Sequence, residues 1–504
     1  MRDEPGFGIE MAVLAILGFG VLAYGSTSYW ASAILQAAIA VLFVAWWFAA
    51  ARSRPPAEFE PRQEAGGWEL GGVRFRASGL GIPAALFVTV VVLQMIPLPA
   101  GARYLVAPNL EARELSAETV LAQPGAPGES QSSRWRPLSI DPPATLDALL
   151  GFLAYVALFV VVYNLVDSRS RLLRMTRALV AFSFFVAFVG LLQDLSGVER
   201  VYGIKALRYG GSPYGPYVNH NHFAGLMEMM IPLTFALLLR RILRPSSGGT
   251  GTRITSQGLL LPDGDQPRGE RAGQAILLGL ALTVMSAAML FSLSRGGLIA
   301  LVLSAGAVTV MLVIRGRLGR WQTAVAGLLL AVSVAAFLWI GPDTVVDHFR
   351  RAESVQHEPS LFTRLLVWRA SVGMFEDFPV AGTGLGTYAS AFLAYYPMGT
   401  EQTWREAHND YVQLLAEVGA VGALVAAVGF FLLLVRLLGP ILGRQEVKER
   451  LIYYGLCTGI LSLLLHSLVD FNLQVPGNAA LFVVLLAMAL AQRSMLQRSR
   501  RQET

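Results

Sequence analysis

The chain has 504 residues, of which 54% are apolar and only 15% charged, and its mean hydropathy is +0.53. A water-soluble domain of this length needs far more polar surface, so a soluble globular protein is excluded. The excess of 40 Lys and Arg over 34 Asp and Glu lies mostly in short loops between apolar runs, where membrane orientation accounts for it and no nucleic-acid partner is required.

A membrane span takes roughly 20 apolar residues. Runs of this kind fall at 9–25, 28–50, 79–98, 147–166, 178–197, 223–239, 273–292, 298–314, 322–341, 418–435, 451–469 and 476–492, which predicts an all-α polytopic membrane protein with about 12 transmembrane helices. Asp3 and Glu4 stand beside Arg2, and a second apolar run follows at once, so the first run reads as an uncleaved helix. With the N-terminus in the cytoplasm, segments 52–78, 167–177, 240–272, 315–320, 436–450 and 493–504 also fall inside and hold most of the Lys and Arg. Arg169, Arg171, Arg174 and Arg177 crowd one loop, and Arg315, Arg317 and Arg320 another. This positive-inside pattern places both termini in the cytoplasm.

The whole chain, 1–504, reads as a single membrane domain with loops. Residues 99–146 form an extracytoplasmic loop in which Pro124, Pro127, Pro137, Pro142 and Pro143 discourage long regular structure. Residues 240–272 read as a flexible cytoplasmic loop, rich in Gly, Ser and Pro over 245–272. Residues 342–417 form a large extracytoplasmic loop with His348, His357, His408 and several arginines, longer than a plain connection needs. Cys457 lies inside a predicted span, and a lone thiol makes neither an intramolecular disulfide nor a zinc site.

Five clusters carry possible chemistry. Before the sixth span, Asn219-His220-Asn221-His222 holds two histidines, but no carboxylate or cysteine stands in ligand spacing, so hydrogen bonding is favoured over metal binding. Ser294-Arg295-Gly296-Gly297 separates two apolar runs and puts a guanidinium at the extracytoplasmic end of a helix, beside glycines that leave room for a bulky anion. In Phe362–Arg369, helical spacing sets Arg364 and Trp368 on one face and turns Arg369 away. His408 belongs to Ala407-His408-Asn409-Asp410-Tyr411, just before a helix whose positive dipole end disfavours imidazolium; a neutral ring there is suited to general-base work. Gly419 and Gly422, three apart, are expected on one helical face. His466 and Asp470, four apart at the end of the eleventh span, could share a face and pair.

Taken in order, these pieces resemble the O-antigen ligase-like family of bacterial membrane glycosyltransferases, which includes O-antigen ligases, polysaccharide polymerases and protein O-oligosaccharyltransferases. His408-Asn409 followed by Glu417 and Gly419-Ala420-Val421-Gly422 matches its signature. So do Arg364–Trp368 with Pro379 and Gly382–Tyr388, Ser294-Arg295-Gly296, and Asp470-Phe471-Asn472-Leu473, over a core of about 285–480. The resemblance implies a fold of the glycosyltransferase C superfamily in a bacterial inner membrane, with its site on the periplasmic side. It further implies inverting transfer, without metal or other cofactor, of a glycan from undecaprenyl pyrophosphate to an acceptor hydroxyl, the acceptor being a glycan or lipid A-core. By the same analogy His408 is catalytic, Arg295 and Arg364 hold the pyrophosphate, and Asn409, Glu417, Asp470, His220 and His222 are supporting candidates. A polysaccharide flippase, or an assembly subunit that has lost activity, are the competing readings.

Overall fold

The computed structural model describes residues 6–52, 67–106, 135–198, 200–203, 213–243, 252–254, 260–262, 268–315, 327, 361–395, 404–441 and 447–503. Helix dominates. In chain order the elements are α1 (Phe7–Leu22), α2 (Tyr29–Arg52), β1 (Trp68–Leu70), β2 (Val73–Phe75), α3 (Gly81–Met95), α4 (Ala100–Val106), α5 (Pro142–Leu165), α6 (Arg169–Leu195) and α7 (His220–Ile242). The short strands β3 (Thr252–Ile254) and β4 (Leu260–Pro262) follow, then α8 (Arg268–Phe291), α9 (Arg295–Ile314), α10 (Leu361–Asp377), α11 (Asp410–Leu438), α12 (Val447–His466) and α13 (Pro476–Glu503). The strands form two antiparallel hairpins, and Phe75 of the first packs its ring 5.7 Å from Trp46 and 5.5 Å from Trp47.

Among the described residues, eight helices are long and apolar enough to cross a membrane: α2, α5, α6, α7, α8, α9, α11 and α13. The shorter apolar helices α1, α3 and α12 fall on three further predicted runs. Apart from residue 327, the run predicted at 322–341, with His348 and His357 beyond it, lies outside the described residues, as do residues 107–134 and most of the loop predicted at 240–272.

Helix starts follow local chemistry. Asp141 accepts a hydrogen bond from Ala144 N with Pro142 opening α5, and Ser168, Asn219, Ser294 and Asn409 cap α6, α7, α9 and α11 in the same manner. Each such cap satisfies otherwise orphaned N–H groups, a contribution of about 1 kcal/mol. Helices α7 and α13 form the centre: 72% of the most apolar window of each is buried, against 22–33% in the other six. That matches α7's sequence, apolar on every side. Gly455 and Gly459 let α12 approach α7 closely, since a Cβ on Gly459 would lie 2.3 Å from the Met229 carbonyl oxygen.

At one end of the bundle, Glu10 near the start of α1 is fully buried, and its carboxylate accepts from Arg171 Nε at 2.7 Å and Arg174 Nη2 at 2.8 Å. These contacts hold the starts of α1 and α6 together. The opposite end gathers the starts of α7, α9 and α11 and the turn between α12 and α13. The candidate site lies there.

Candidate active site

The start of α11 is bonded to the turn after α12. Asn409 Oδ1 accepts from Tyr411 N at 3.0 Å and Val412 N at 3.1 Å, while its Nδ2 donates to Leu468 O at 2.8 Å. Asp410 N donates to Ser467 O at 3.0 Å, and its Oδ2 accepts from Leu473 N at 3.1 Å. His408 immediately precedes this junction with φ 50°, a left-handed conformation that costs of order 1 kcal/mol and that functional sites often retain. Its side chain is only 14% exposed, with the Phe471 ring at 4.7 Å and the Trp404 ring at 5.4 Å, both edge-on.

Three chemically distinct groups meet here. His408 Nδ1 lies 3.7 Å from Asp470 Oδ1, and Arg364 Nη2 lies 3.9 Å from Asp470 Oδ2. Arg364 Nη1 also donates to Val469 O at 2.5 Å. Burial by itself raises the Asp470 carboxyl, but His408, Arg364, His222 and His466 outweigh it and hold it at about 2, so it is an anion at any physiological pH. Trp368 Nε1 donates to Ala407 O at 2.9 Å, which sets Arg364 and Trp368 on the same side of α10, while Arg369 is exposed. That is the division the helical spacing predicts.

The remaining sequence candidates take different places. Arg295 is the first residue of α9 and its side chain is exposed. Its neighbour Gly296 does abut that turn, because a Cβ there would lie 2.8 Å from His466 Nε2 and 3.2 Å from Val469 Cγ2. His222 is buried edge-on against Phe471 at 4.7 Å, and its Nε2 has no hydrogen-bond partner among the described residues. His220 is two positions away on the same helix, about 200° around its axis, so the two rings do not converge. Among the described residues no group of three or more His, Cys, Asp or Glu side chains could hold a metal ion.

Glu417 acts on the backbone. It is buried, and its carboxylate accepts from Gly386 N at 2.9 Å and Tyr388 N at 3.1 Å, fastening the glycine-rich loop 382–388. Gln413 donates weakly to Glu417 at 3.5 Å and to Glu406 at 2.8 Å, and its Oε1 accepts from Ala407 N at 3.0 Å, next to His408. Burial pushes the Glu406 carboxyl up to about 8, with the Gln413 hydrogen bond opposing.

Two sequence expectations need correcting. Gly419 and Gly422 do not share an uninterrupted helical face: α11 is broken at Gly419, with φ 62° and ψ −172°. The carbonyls of Ala416 and Glu417 accept from Thr383 N and Gly384 N, while Ala420 N and Val421 N donate to Pro379 O and Val380 O, so the loop replaces one turn of helix. Only glycine fits, since a Cβ would lie 2.5 Å from Val380 O. Nor do His466 and Asp470 form a helical pair. α12 ends at His466, which puts Asp470 off the helix and facing His408, while the His466 ring turns to Glu228 with Nδ1 3.0 Å from Oε1. Sequence reasoning missed Glu228. Its signal was a carboxylate inside a predicted span, where an ionisable group needs a reason.

Fold and site together define a polytopic helical membrane protein with an imidazole, a carboxylate and a guanidinium gathered at one end of its bundle. Residues 280–427, well under half of the chain, are similar to the family whose model is described as O-Antigen ligase, with Arg295, Arg364 and His408 inside the matched stretch and Asp470, His220 and His222 outside it. At a coarse level that similarity suggests membrane glycan transfer between a lipid-linked donor and a glycan acceptor. No curated protein matches the chain.

Proposed function

We propose that this protein transfers a glycan from undecaprenyl pyrophosphate to an acceptor hydroxyl at the extracytoplasmic face of the inner membrane, as an O-antigen ligase or a polysaccharide polymerase. The observation that carries the reading is Asp470 lying between His408 and Arg364. With its Nδ1 side facing a fixed carboxylate, His408 presents Nε2 to an incoming hydroxyl. The hydroxyl proton passes to Nε2 as the oxygen attacks the anomeric carbon; the bond from that carbon to the pyrophosphate oxygen breaks, and the electron pair leaves with the pyrophosphate. Attack opposite the leaving group inverts the anomeric centre.

Arg364, a planar donor fork, suits one phosphate of the leaving group, and Arg295 at the adjoining helix start is proposed to reach the other. The pyrophosphate is already a good leaving group, so placement and fixed positive charge supply most of the rate without a metal. Asn409, Glu417 and Asp470 act as supports: Asn409 holds the segment that carries His408, Glu417 fastens the 382–388 loop against α11, and Asp470 orients the His408 ring. His220 and His222 stand at the mouth of the site.

The competing reading, a flippase for the same lipid-linked cargo, gives His408 no task. Purified protein in proteoliposomes with an undecaprenyl-pyrophosphate-linked oligosaccharide and its acceptor separates the two. Transfer that disappears in His408→Ala supports the enzyme; flipping that persists in His408→Ala, with no transfer by the parent, refutes it.

A further inference from the structure

Glu228 lies in the middle of the apolar helix α7, fully buried, and the chemistry above does not use it. Its Oε2 accepts from Ser462 Oγ at 3.0 Å, and its Oε1 is 3.0 Å from His466 Nδ1. Asn472 Nδ2 is 3.2 Å from the same ring nitrogen; Asn478 Nδ2 donates to Asn472 Oδ1 at 3.0 Å and to His222 O at 2.8 Å, and Tyr217 OH donates to Asn478 Oδ1 at 2.7 Å. Glycines on two helices leave the room. A Cβ on Gly225 would lie 2.2 Å from Asn472 Oδ1, and one on Gly297 would lie 3.3 Å from His466 Cε1. Burying such groups costs several kcal/mol unless their hydrogen bonds are met, and an apolar pair would fill the same volume without that cost.

What adjoins the pair gives it a task. His466 O accepts from Asp470 N at 3.0 Å, and the four residues after His466 make the turn's contacts with the site: Ser467 O to Asp410, Leu468 O to Asn409, Val469 O to Arg364, and the Asp470 carboxylate to His408 and Arg364. Resting on the transfer reading above, we propose that Glu228 and His466 are positioning residues, an intramembrane pair that fixes the 467–473 turn so that Asp470 meets His408 and Arg364 together.

Around His408 the ionisable groups are Asp470 of the turn, Arg364 from α10, His222 from α7, and Glu406 and Asp410 of its own segment. The proposal has the pair act on the first of these. The test uses the full chain in proteoliposomes with an undecaprenyl-pyrophosphate-linked oligosaccharide as donor, and follows the His408 ring by carbon-13 resonance as pH is varied. In Glu228→Ala, kcat is expected to fall about tenfold or more while donor KM changes less than about threefold, and His408 is expected to titrate at lower pH than in the parent, as in Asp470→Asn. Glu228→Gln keeps hydrogen bonds to Ser462 and His466 and is expected to restore most of both. If Glu228→Ala does not fold, His466→Asn and Asn472→Ala carry the same comparison. A folded variant of the pair whose His408 titrates as in the parent, while Asp470→Asn shifts it, overturns the proposal. The resonance reads positioning without any transfer, so a fully active His408→Ala would sink the transfer reading alone.

Discussion

Asp470→Asn isolates the electrostatics of the site, because the amide keeps the shape of the carboxylate and removes its charge. The wild-type carboxyl is held at about 2 against an ordinary 3.8. A difference of roughly two units at 1.36 kcal/mol each makes the charged form about 2.5 kcal/mol more favourable in the folded protein than in water. The group is 1% exposed, so solvent screening takes little from that figure. The sign is that of a depressed acid: the stabilisation is complete above about pH 4 and is lost as pH falls through 2. Equilibrium unfolding of purified protein in mixed micelles is therefore expected to show Asp470→Asn less stable by roughly 2–3 kcal/mol. If the same interaction is needed in full during transfer, the rate falls by up to about 70-fold. A variant as stable and as active as the parent refutes the reasoning.

His408→Ala is expected to reduce transfer to background while leaving membrane insertion and melting unchanged, checked by product analysis alongside a thermal melt. Arg364→Ala is expected to weaken donor use, and Arg364→Lys to restore it only in part, since one ammonium cannot serve both Val469 O and an anion in the same plane; donor KM and kcat measured for both variants decide. Gly419→Ala is expected to cost at least about 2 kcal/mol, from a backbone region open to glycine alone and a Cβ pressed on the Val380 carbonyl, as read by unfolding. Glu406 has a raised acid, so the folded state loses stability as pH climbs from about 4.5 to about 8; Glu406→Gln is expected to match the parent near pH 4 and exceed it at pH 8.

Much of this architecture could be read from residue order. Apolar run length located the helices, because the bilayer imposes it, and the 3.6-residue turn relates side chains four apart. Arg364 and Trp368 were placed on one face by the same local geometry. Non-local contacts were not legible in this way. Gly419 ends a helical turn because a loop forty residues earlier supplies the replacement hydrogen bonds, and no period in α11 records that. His466 pairs with Glu228 across 238 positions rather than with Asp470 four residues on, because the helix ends between them. Arg295 was expected beside Arg364, yet its side chain lies exposed at a neighbouring helix start; a motif fixes the backbone position more firmly than it fixes where a long side chain points.

The central claim is that the cluster at the end of the bundle receives a lipid-linked pyrophosphate. A structure of the full chain with undecaprenyl pyrophosphate bound in lipid nanodiscs tests it most directly. The pyrophosphate is expected against Arg364, with Arg295 swung onto it and His408 Nε2 open on the side away from the lipid. Density for the pyrophosphate at the opposite end of the bundle, or bound without Arg364, would contradict it.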